Sequence, residues 1–209
     1  MHTLKQTLRD IRVIPVIKLE QESSAVPLAD ALLAGGLPAA EITYRTSAAP
    51  GAIRMLKDQR PDMLVGAGTI LTIEQAKSAI EAGASFLVSP GFNDEVVKYA
   101  LDQNVPFIPG VNSPTQVEMG LKRGLGILKF FPAEVSGGVN MLKALGSVYE
   151  VLFMPTGGVS AQNMLDYLSL SNVIACGGSW MVKPELISQG RFDEITQLTK
   201  DAVELAGSC

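Results

Sequence analysis

Histidine is nearly absent from this sequence, and its cysteines are too few and too far apart to form a framework. The histidine is His2, and the two cysteines are Cys176, inside an apolar run, and Cys209. This shortage argues against a Ser-His-Asp triad, a histidine-ligated zinc site and a disulfide scaffold. Acid-base chemistry must therefore use Glu, Asp, Lys or Tyr, and we expect no metal.

Long apolar runs and clusters of positive charge are missing as well. No stretch approaches the roughly 20 apolar residues that span a bilayer, and Met1 to Arg12 lacks the apolar block of a secretory signal. Lys and Arg number 17 against 21 Asp and Glu, which gives a net charge of −4. These absences, with the scarcity of cysteine, predict a cytoplasmic protein without membrane or nucleic-acid partners.

Short β-rich runs alternate with helical patterns along the chain. The 209 residues, 47% of them hydrophobic, show no linker, so we expect one domain over 1–209. Strands apolar nearly throughout are typical of a parallel sheet covered on both faces. The candidate strands are Val13 to Ile17, Ala40 to Tyr44, Met63 to Val65, Phe86 to Ser89, Pro106 to Pro109, Ile127 to Phe130, Val151 to Met154 and Val173 to Cys176.

Two α/β folds produce this alternation: a (β/α)8 TIM barrel and an open doubly wound sheet. A dinucleotide-binding doubly wound sheet places Gly-x-Gly-x-x-Gly after its first strand, where this chain has none; Gly66-Ala67-Gly68 after the third is a partial match. We therefore predict a (β/α)8 TIM barrel of the α/β class. Its chemistry should lie beyond the C-terminal ends of the strands.

Lys129 lies inside the apolar, strand-like run Gly126-Ile127-Leu128-Lys129-Phe130-Phe131. Burial disfavours the charged ammonium, and a neutral amine can attack a carbonyl to form a Schiff base. The simpler interpretation is a strand-end lysine whose ammonium reaches solvent along an apolar stem.

The second candidate strand carries Glu41 and ends just before Arg45. Residues i and i+2 of a strand share a face, so Glu41 and Thr43 can point into the barrel, with Arg45 over its mouth. A Glu41–Lys129 pair could serve catalysis or be a core ion pair without a chemical role.

The turns after the later strands combine glycine with hydroxyl residues. Pro155-Thr156-Gly157-Gly158-Val159-Ser160 and Gly177-Gly178-Ser179-Trp180 can present backbone N–H groups to an anion. In barrels, these two loops frequently form a phosphate site. They are more informative than the glycine- and proline-containing turns after the third, fourth and fifth strands, each of which, taken singly, is better explained as a tight turn.

Together these segments resemble the 2-dehydro-3-deoxy-phosphogluconate (KDPG) and 4-hydroxy-2-oxoglutarate (KHG) aldolases of class I. The resemblance covers nearly the whole chain. It is carried by Ile14-Pro15-Val16-Ile17, Glu41-Ile42-Thr43-Tyr44-Arg45-Thr46, Val65-Gly66-Ala67-Gly68-Thr69, Ser89-Pro90-Gly91, Lys129-Phe130-Phe131-Pro132-Ala133-Glu134, Pro155-Thr156-Gly157-Gly158 and Gly177-Gly178-Ser179-Trp180. Tyr44 and the segment Val111-Asn112-Ser113-Pro114 look variable relative to the family, which leaves aldehyde recognition open.

The resemblance implies an enzyme that splits a phosphorylated keto acid into pyruvate and an aldehyde, without a cofactor and as a homotrimer. Lys129 would be the Schiff-base lysine and Glu41 the proton-transfer carboxylate. The implied substrate-binding residues are Arg45 and Thr69 for the pyruvyl end, Pro90, Phe131 and Thr156 around the reacting carbons, and Gly157, Gly158 and Ser179 for the phosphate.

Other functions stay open at the level of sequence. The same chemistry could act on an epimeric acid, 2-dehydro-3-deoxy-6-phosphogalactonate. A phosphosugar isomerase or epimerase could use Lys129 only electrostatically, and a binding protein would use it for no chemistry.

Overall fold

The computed structural model describes residues 3–208, in which parallel strands alternate with helices. The strands are β1 (Val13–Ile17), β2 (Ala39–Thr43), β3 (Leu64–Gly68), β4 (Phe86–Val88), β5 (Phe107–Ile108), β6 (Gly110–Val111), β7 (Ile127–Phe130), β8 (Leu152–Pro155) and β9 (Cys176–Gly178). The helices are α1 (Leu4–Ile11), α2 (Ala25–Ala34), α3 (Ala49–Gln59), α4 (Ile73–Glu81), α5 (Asp94–Asp102), α6 (Pro114–Lys122), α7 (Gly138–Gly146), α8 (Met164–Leu168), α9 (Pro184–Ser188) and α10 (Phe192–Gly207). His2 and Cys209 lie outside the described residues.

The strands form a closed ring. One arc runs in the order β5-β4-β3-β2-β1-β9 and the other in the order β6-β7-β8. β5 and β6 are two parts of one barrel strand that is interrupted at Pro109, because proline has no N–H for the ladder. An isolated parallel bridge between Thr156 and Gly177 joins the end of β8 to β9. The predicted (β/α)8 barrel is confirmed.

The eighth barrel strand begins later than predicted. Val173 to Cys176 was the expected strand, but β9 spans Cys176–Gly178, and Val173 makes only an isolated bridge. Gly177 and Gly178, expected in a turn, pair with β1 instead. A Cβ at Gly177 would lie 2.3 Å from Thr156 Oγ1, and one at Gly178 would lie 1.8 Å from the Trp180 ring. Neighbouring side chains occupy the space that larger residues would need, which explains why these two strand positions are glycine.

Apolar side chains fill the lower barrel and leave its upper end to polar groups. An inner cluster includes Ile14, Phe86 and Met154, together with Leu8 of α1. The sequence patterns did not predict the helix α1. Helices pack on the outside of the sheet around a larger core. In the described range no helix is both long and apolar enough to cross a membrane.

Candidate active site

Lys129 and Glu41 meet at the centre of the barrel. The Lys129 Nζ lies 3.3 Å from Glu41 Oε1, and the two side chains are 6% and 0% exposed. Every other ion pair between described residues has at least one side chain that is substantially exposed. A buried pair is costly to desolvate and adds little to stability, so this one indicates chemistry.

The register of the strands explains how these two side chains come together. Glu41 lies in the middle of β2, between Val16 of β1 and Gly66 of β3. Lys129 lies in β7 beside Gly110 and Met154. Both side chains therefore point into the barrel from different strands, although 88 positions separate them in sequence.

Glycine makes the room that the carboxylate needs. A Cβ at Gly68, at the end of β3, would lie 2.2 Å from Glu41 Oε1. The second carboxylate oxygen, Oε2, is buried without a hydrogen-bond partner among the described residues, and so is the Thr156 Oγ1. Glu41 Oε2 is therefore able to accept a proton from a bound molecule.

A cavity of about 200 Å³ opens above the pair. Phe131 borders it, and its ring centroid lies 5.4 Å from the Lys129 Nζ. The cavity is large enough for a pyruvate-sized group. Its lining residues are Val16, Glu41, Thr43, Arg45, Thr69, Pro90, Lys129, Phe131 and Thr156.

Thr43 fixes the cation at the mouth of this cavity. Its hydroxyl donates to the Ile17 carbonyl at 2.7 Å and accepts from the Arg45 Nε at 3.0 Å. The guanidinium is thus held where it can bind a carboxylate through its remaining N–H groups.

Thr69 adopts an unfavourable backbone conformation at the end of β3. Its φ is +60°, in the left-handed region that β-branched residues rarely occupy. Such strain costs on the order of 1–3 kcal/mol and tends to occur at functional sites. This strained residue lies in the wall of the cavity.

The glycine loop after β8 flanks the cavity. Gly157 and Gly158 have φ of +96° and +84°, and a Cβ at Gly157 would lie 3.3 Å from Phe131 Cδ2. Ser179 follows β9, which the Thr156–Gly177 bridge brings alongside this loop. The loop thus lies beside Phe131 at the edge of the cavity, with Ser179 on the neighbouring turn.

Comparison with known proteins places the chain in a family. The family model described as "Aldolase: KDPG and KHG aldolase" matches residues 4–198. The chain belongs to this family. The Haemophilus influenzae 2-dehydro-3-deoxy-phosphogluconate aldolase is 47% identical over 96% of this chain and 95% of its own, and the Escherichia coli KHG/KDPG aldolase is 44% identical over 92% and 91%.

A solved structure of the family is similar in fold. The KDPG aldolase of Legionella pneumophila, crystallised with pyruvate captured at low pH as a covalent carbinolamine intermediate, superimposes with a TM-score of 0.92. Its sequence is 40% identical, and the match covers 95% of this chain and 97% of that one.

The aldolase site contains residues that sequence reasoning did not select. Thr43 was expected to face inward but was not assigned to the site, and Val16 was named only within a motif of the family resemblance. Alternation along β1 and β2 is the signal that finds both, since Val16 pairs with Glu41. The predicted residues Glu41, Arg45, Thr69, Pro90, Lys129, Phe131 and Thr156 line one cavity. Gly157, Gly158 and Ser179 are not among its lining residues and lie in the turns after β8 and at the end of β9.

The described residues show no metal-binding cluster, and their cysteine, Cys176, is not a lining residue of the cavity. Residues 3–208 contain no group of three or more His, Cys, Asp or Glu side chains that could hold a metal ion. Cys176 is buried, and burial raises the pKa of its thiol to about 12, so it is a poor nucleophile at neutral pH.

Proposed function

We propose that this chain is a Schiff-base aldolase that cleaves 2-dehydro-3-deoxy-6-phosphogluconate to pyruvate and glyceraldehyde 3-phosphate, a step of the Entner-Doudoroff pathway. The observation that carries the proposal is the buried Lys129 amine beside the Glu41 carboxylate at the floor of the cavity. Membership of the KDPG and KHG aldolase family supports it, as does the covalent pyruvate intermediate of the Legionella enzyme.

The proposed reaction begins at the lysine. The neutral Lys129 amine attacks the C2 ketone to give a carbinolamine, and loss of water gives an iminium ion. Glu41, directly or through a water, removes the proton of the C4 hydroxyl. The C3–C4 bond then breaks, its electron pair moves toward the iminium nitrogen, and the aldehyde leaves. Protonation of the remaining enamine and hydrolysis release pyruvate and restore the amine.

The residues around the pair would hold the two ends of the substrate. We assign Arg45 and Thr69 to the pyruvyl carboxylate, because both lie in the cavity wall and Arg45 is fixed by Thr43. Pro90, Phe131 and Thr156 border the reacting carbons. Gly157, Gly158 and Ser179 would bind the phosphate. Anchoring the phosphate end of the substrate, away from the lysine, would position the C2 ketone over the amine.

KHG is a second candidate substrate. The family description and the E. coli relative both name it, and it carries the same 2-keto and 4-hydroxy groups. Cleavage would give pyruvate and glyoxylate by the same steps. The epimeric galactonate acid remains an alternative, since the geometry of the lysine pair does not select the configuration at C4.

We also propose that the enzyme is a homotrimer and acts in the cytoplasm as one domain. Apolar side chains at the surface support assembly, since Val135 and Val148 are 85% and 71% exposed. A cytoplasmic site suits a phosphorylated substrate, which does not cross membranes unaided. Light scattering after size-exclusion chromatography should give three times the chain mass of 22.2 kDa.

The decisive experiment is trapping of the imine with borohydride. The protein is incubated with pyruvate and borohydride, and intact mass and peptide mapping locate the adduct, with a control lacking pyruvate. We expect one reduced pyruvyl group on Lys129 and none in Lys129→Ala. A folded protein without an adduct would contradict the proposal and favour a phosphosugar isomerase or epimerase, in which the lysine acts only electrostatically.

A further inference from the structure

The two glycine carbonyls of the loop after β8 are both held by donors of the protein. Gly157 O accepts from the Glu134 N–H at 3.1 Å. Gly158 O accepts from the Asn163 Nδ2 at 3.1 Å. The amide of Gly158 donates to no group among the described residues, whereas that of Gly157 faces β9 at the parallel bridge between Thr156 and Gly177. The loop therefore has both glycine carbonyls occupied and the Gly158 amide available, which is the polarity that an anion requires.

The side chain of Asn163 binds this loop instead of capping the helix that it precedes. It occupies the N-cap position of α8, where an asparagine side chain usually accepts from the first turn of its helix. It makes no such bond. Its Oδ1 accepts from the Ser160 N–H at 2.8 Å, and its Nδ2 donates to Gly158 O. By contrast, Asn93 at the start of α5 does cap its helix.

Glu134 supports the loop from the other side, and α8 fixes Glu134. A Cβ at Gly158 would lie 2.4 Å from the Glu134 Cγ, so the two residues are in close contact. The Glu134 carboxylate accepts a hydrogen bond from the hydroxyl of Tyr167, which is fully buried on α8. The pKa of Tyr167 is raised mainly by burial and further by the hydrogen bond to Glu134, so the hydroxyl stays protonated and remains a donor. Asn163 and Tyr167 thus connect one short helix to both sides of the loop.

We propose that Asn163, together with the Glu134–Tyr167 pair, positions the loop for phosphate binding by turning the carbonyls of Gly157 and Gly158 away from the ligand and leaving the Gly158 amide directed toward it. The inference rests on the proposed function, which puts a phosphate at this loop. Asn163 is a positioning residue, since it acts through Gly158 and need not touch the substrate.

The test compares two substrates, of which only one carries the phosphate group that would contact the loop. KDPG carries a phosphate, whereas KHG is shorter and has none. In Asn163→Ala we expect the ratio of kcat/KM for KDPG to that for KHG to fall about tenfold, mainly through a higher KM for KDPG, because one hydrogen bond that orders a charged-ligand site is lost. Asn163→Asp should lower the ratio at least as far, since it keeps the acceptor for Ser160 but cannot donate to Gly158 O.

The matched control is Asn172→Ala. Asn172 also donates from its Nδ2 to a backbone carbonyl, that of Leu142 at 2.9 Å, but it lies just before Val173 near the opposite end of the barrel. We expect this variant to keep the substrate ratio within about twofold. A similar Tm for the two alanine variants would remove general destabilisation as the cause. If the Asn163 variants do not fold, Tyr167→Phe, which removes only a hydroxyl, should lower the same ratio by about threefold.

Binding of inorganic phosphate separates failure of this inference from failure of the proposed function. Phosphate should inhibit KDPG cleavage competitively, and its inhibition constant should rise about tenfold in Asn163→Ala and in Ser179→Ala. Equal losses on both substrates with unchanged phosphate inhibition would overturn the inference and leave the aldolase standing. If no pyruvate adduct forms but calorimetry shows phosphate binding that Asn163→Ala weakens, the inference holds and the proposed function fails. A wild-type protein that neither binds phosphate nor prefers KDPG would overturn the inference.

Discussion

At the residue scale, the site depends on a carboxylate and an amine that the barrel isolates from water. One oxygen of Glu41 contacts Lys129 and the other has no partner among the described residues. A carboxylate in that state is poised to exchange protons with a bound substrate. Its role is therefore separable from that of the nucleophile.

We expect Glu41→Gln to lower kcat by roughly 100-fold or more while pyruvate can still be trapped on Lys129, because the amide cannot act as a base. Steady-state kinetics and borohydride trapping measure the two effects. Glu81→Gln, an exposed substitution on α4, is the control. An undiminished kcat in Glu41→Gln would remove this residue from proton transfer.

Thr69 offers a second prediction at this scale. Asparagine tolerates the left-handed region better than threonine does, so Thr69→Asn should raise the free energy of unfolding by about 1 kcal/mol. The same change should lower kcat/KM about tenfold, since the hydroxyl in the cavity wall is lost. Urea unfolding and kinetics check both parts.

Thr72→Asn is the matched control for Thr69→Asn. Thr72 caps α4 from an extended backbone at φ −133°, and asparagine is an equally good cap. We expect little change in stability or activity there. A loss of stability in Thr69→Asn would contradict the strain argument.

At the scale of the element, β3 shows how glycines at alternate positions of one strand shape the site. Gly66 leaves room for the Phe86 ring, with a distance of only 2.3 Å from a hypothetical Cβ to the ring. Gly68 does the same for Glu41. The strand is thus a flat wall against which neighbouring side chains lie.

Gly68→Ala should therefore impair both stability and catalysis. The added methyl would displace the Glu41 carboxylate, and overpacking of this kind costs about 1–3 kcal/mol. We expect kcat to fall at least tenfold with little effect on KM. Gly126→Ala is the control, since a Cβ there would meet nothing within 4 Å. Equal behaviour of the two variants in unfolding and kinetic assays would show that β3 does not position Glu41.

At the scale of the whole molecule, surface ion pairs join successive helical segments around the barrel. The Arg123 guanidinium, just after α6, donates to the Asp94 carboxylate at the start of α5. This hydrogen bond lowers the pKa of Asp94 below its ordinary value of 3.8. Because the folded pKa is the lower one, the stabilisation is present above 3.8 and is lost as the pH falls through the folded pKa.

The corresponding prediction concerns Asp94→Asn. At pH 7 this variant should be less stable than the wild type in urea unfolding, and the difference should shrink as the pH falls below 3.8, where the native carboxyl also becomes protonated. Asp58→Asn changes an exposed aspartate that makes no ion pair within the described range, and it should show no such convergence. A difference for Asp94→Asn that does not depend on pH would rule out the ion pair as its source.

Local chemistry determined much of this protein from sequence alone. The apolar strands and helical periods predicted the barrel. Lys129 was identified as a candidate because burying an amine in an apolar strand carries a desolvation cost. Strand ends were less well determined: the run Val173 to Cys176 looked like a strand, whereas the paired residues are Cys176–Gly178. Glycines have no propensity for strands, and only their partners across the ladder reveal them.

Contacts between distant residues were decided by the tertiary structure. Glu41 and Lys129 lie 88 positions apart, and closure of the ring brings them to 3.3 Å. The connection from α8 through Asn163 to the glycine loop is short in sequence, but the helix cap that Asn163 leaves unmade is visible only in three dimensions. The sequence determined which groups are chemically able to act, because that depends on residue type and local pattern. Their distances and free hydrogen-bonding atoms depend on how the strands close, which no local pattern encodes.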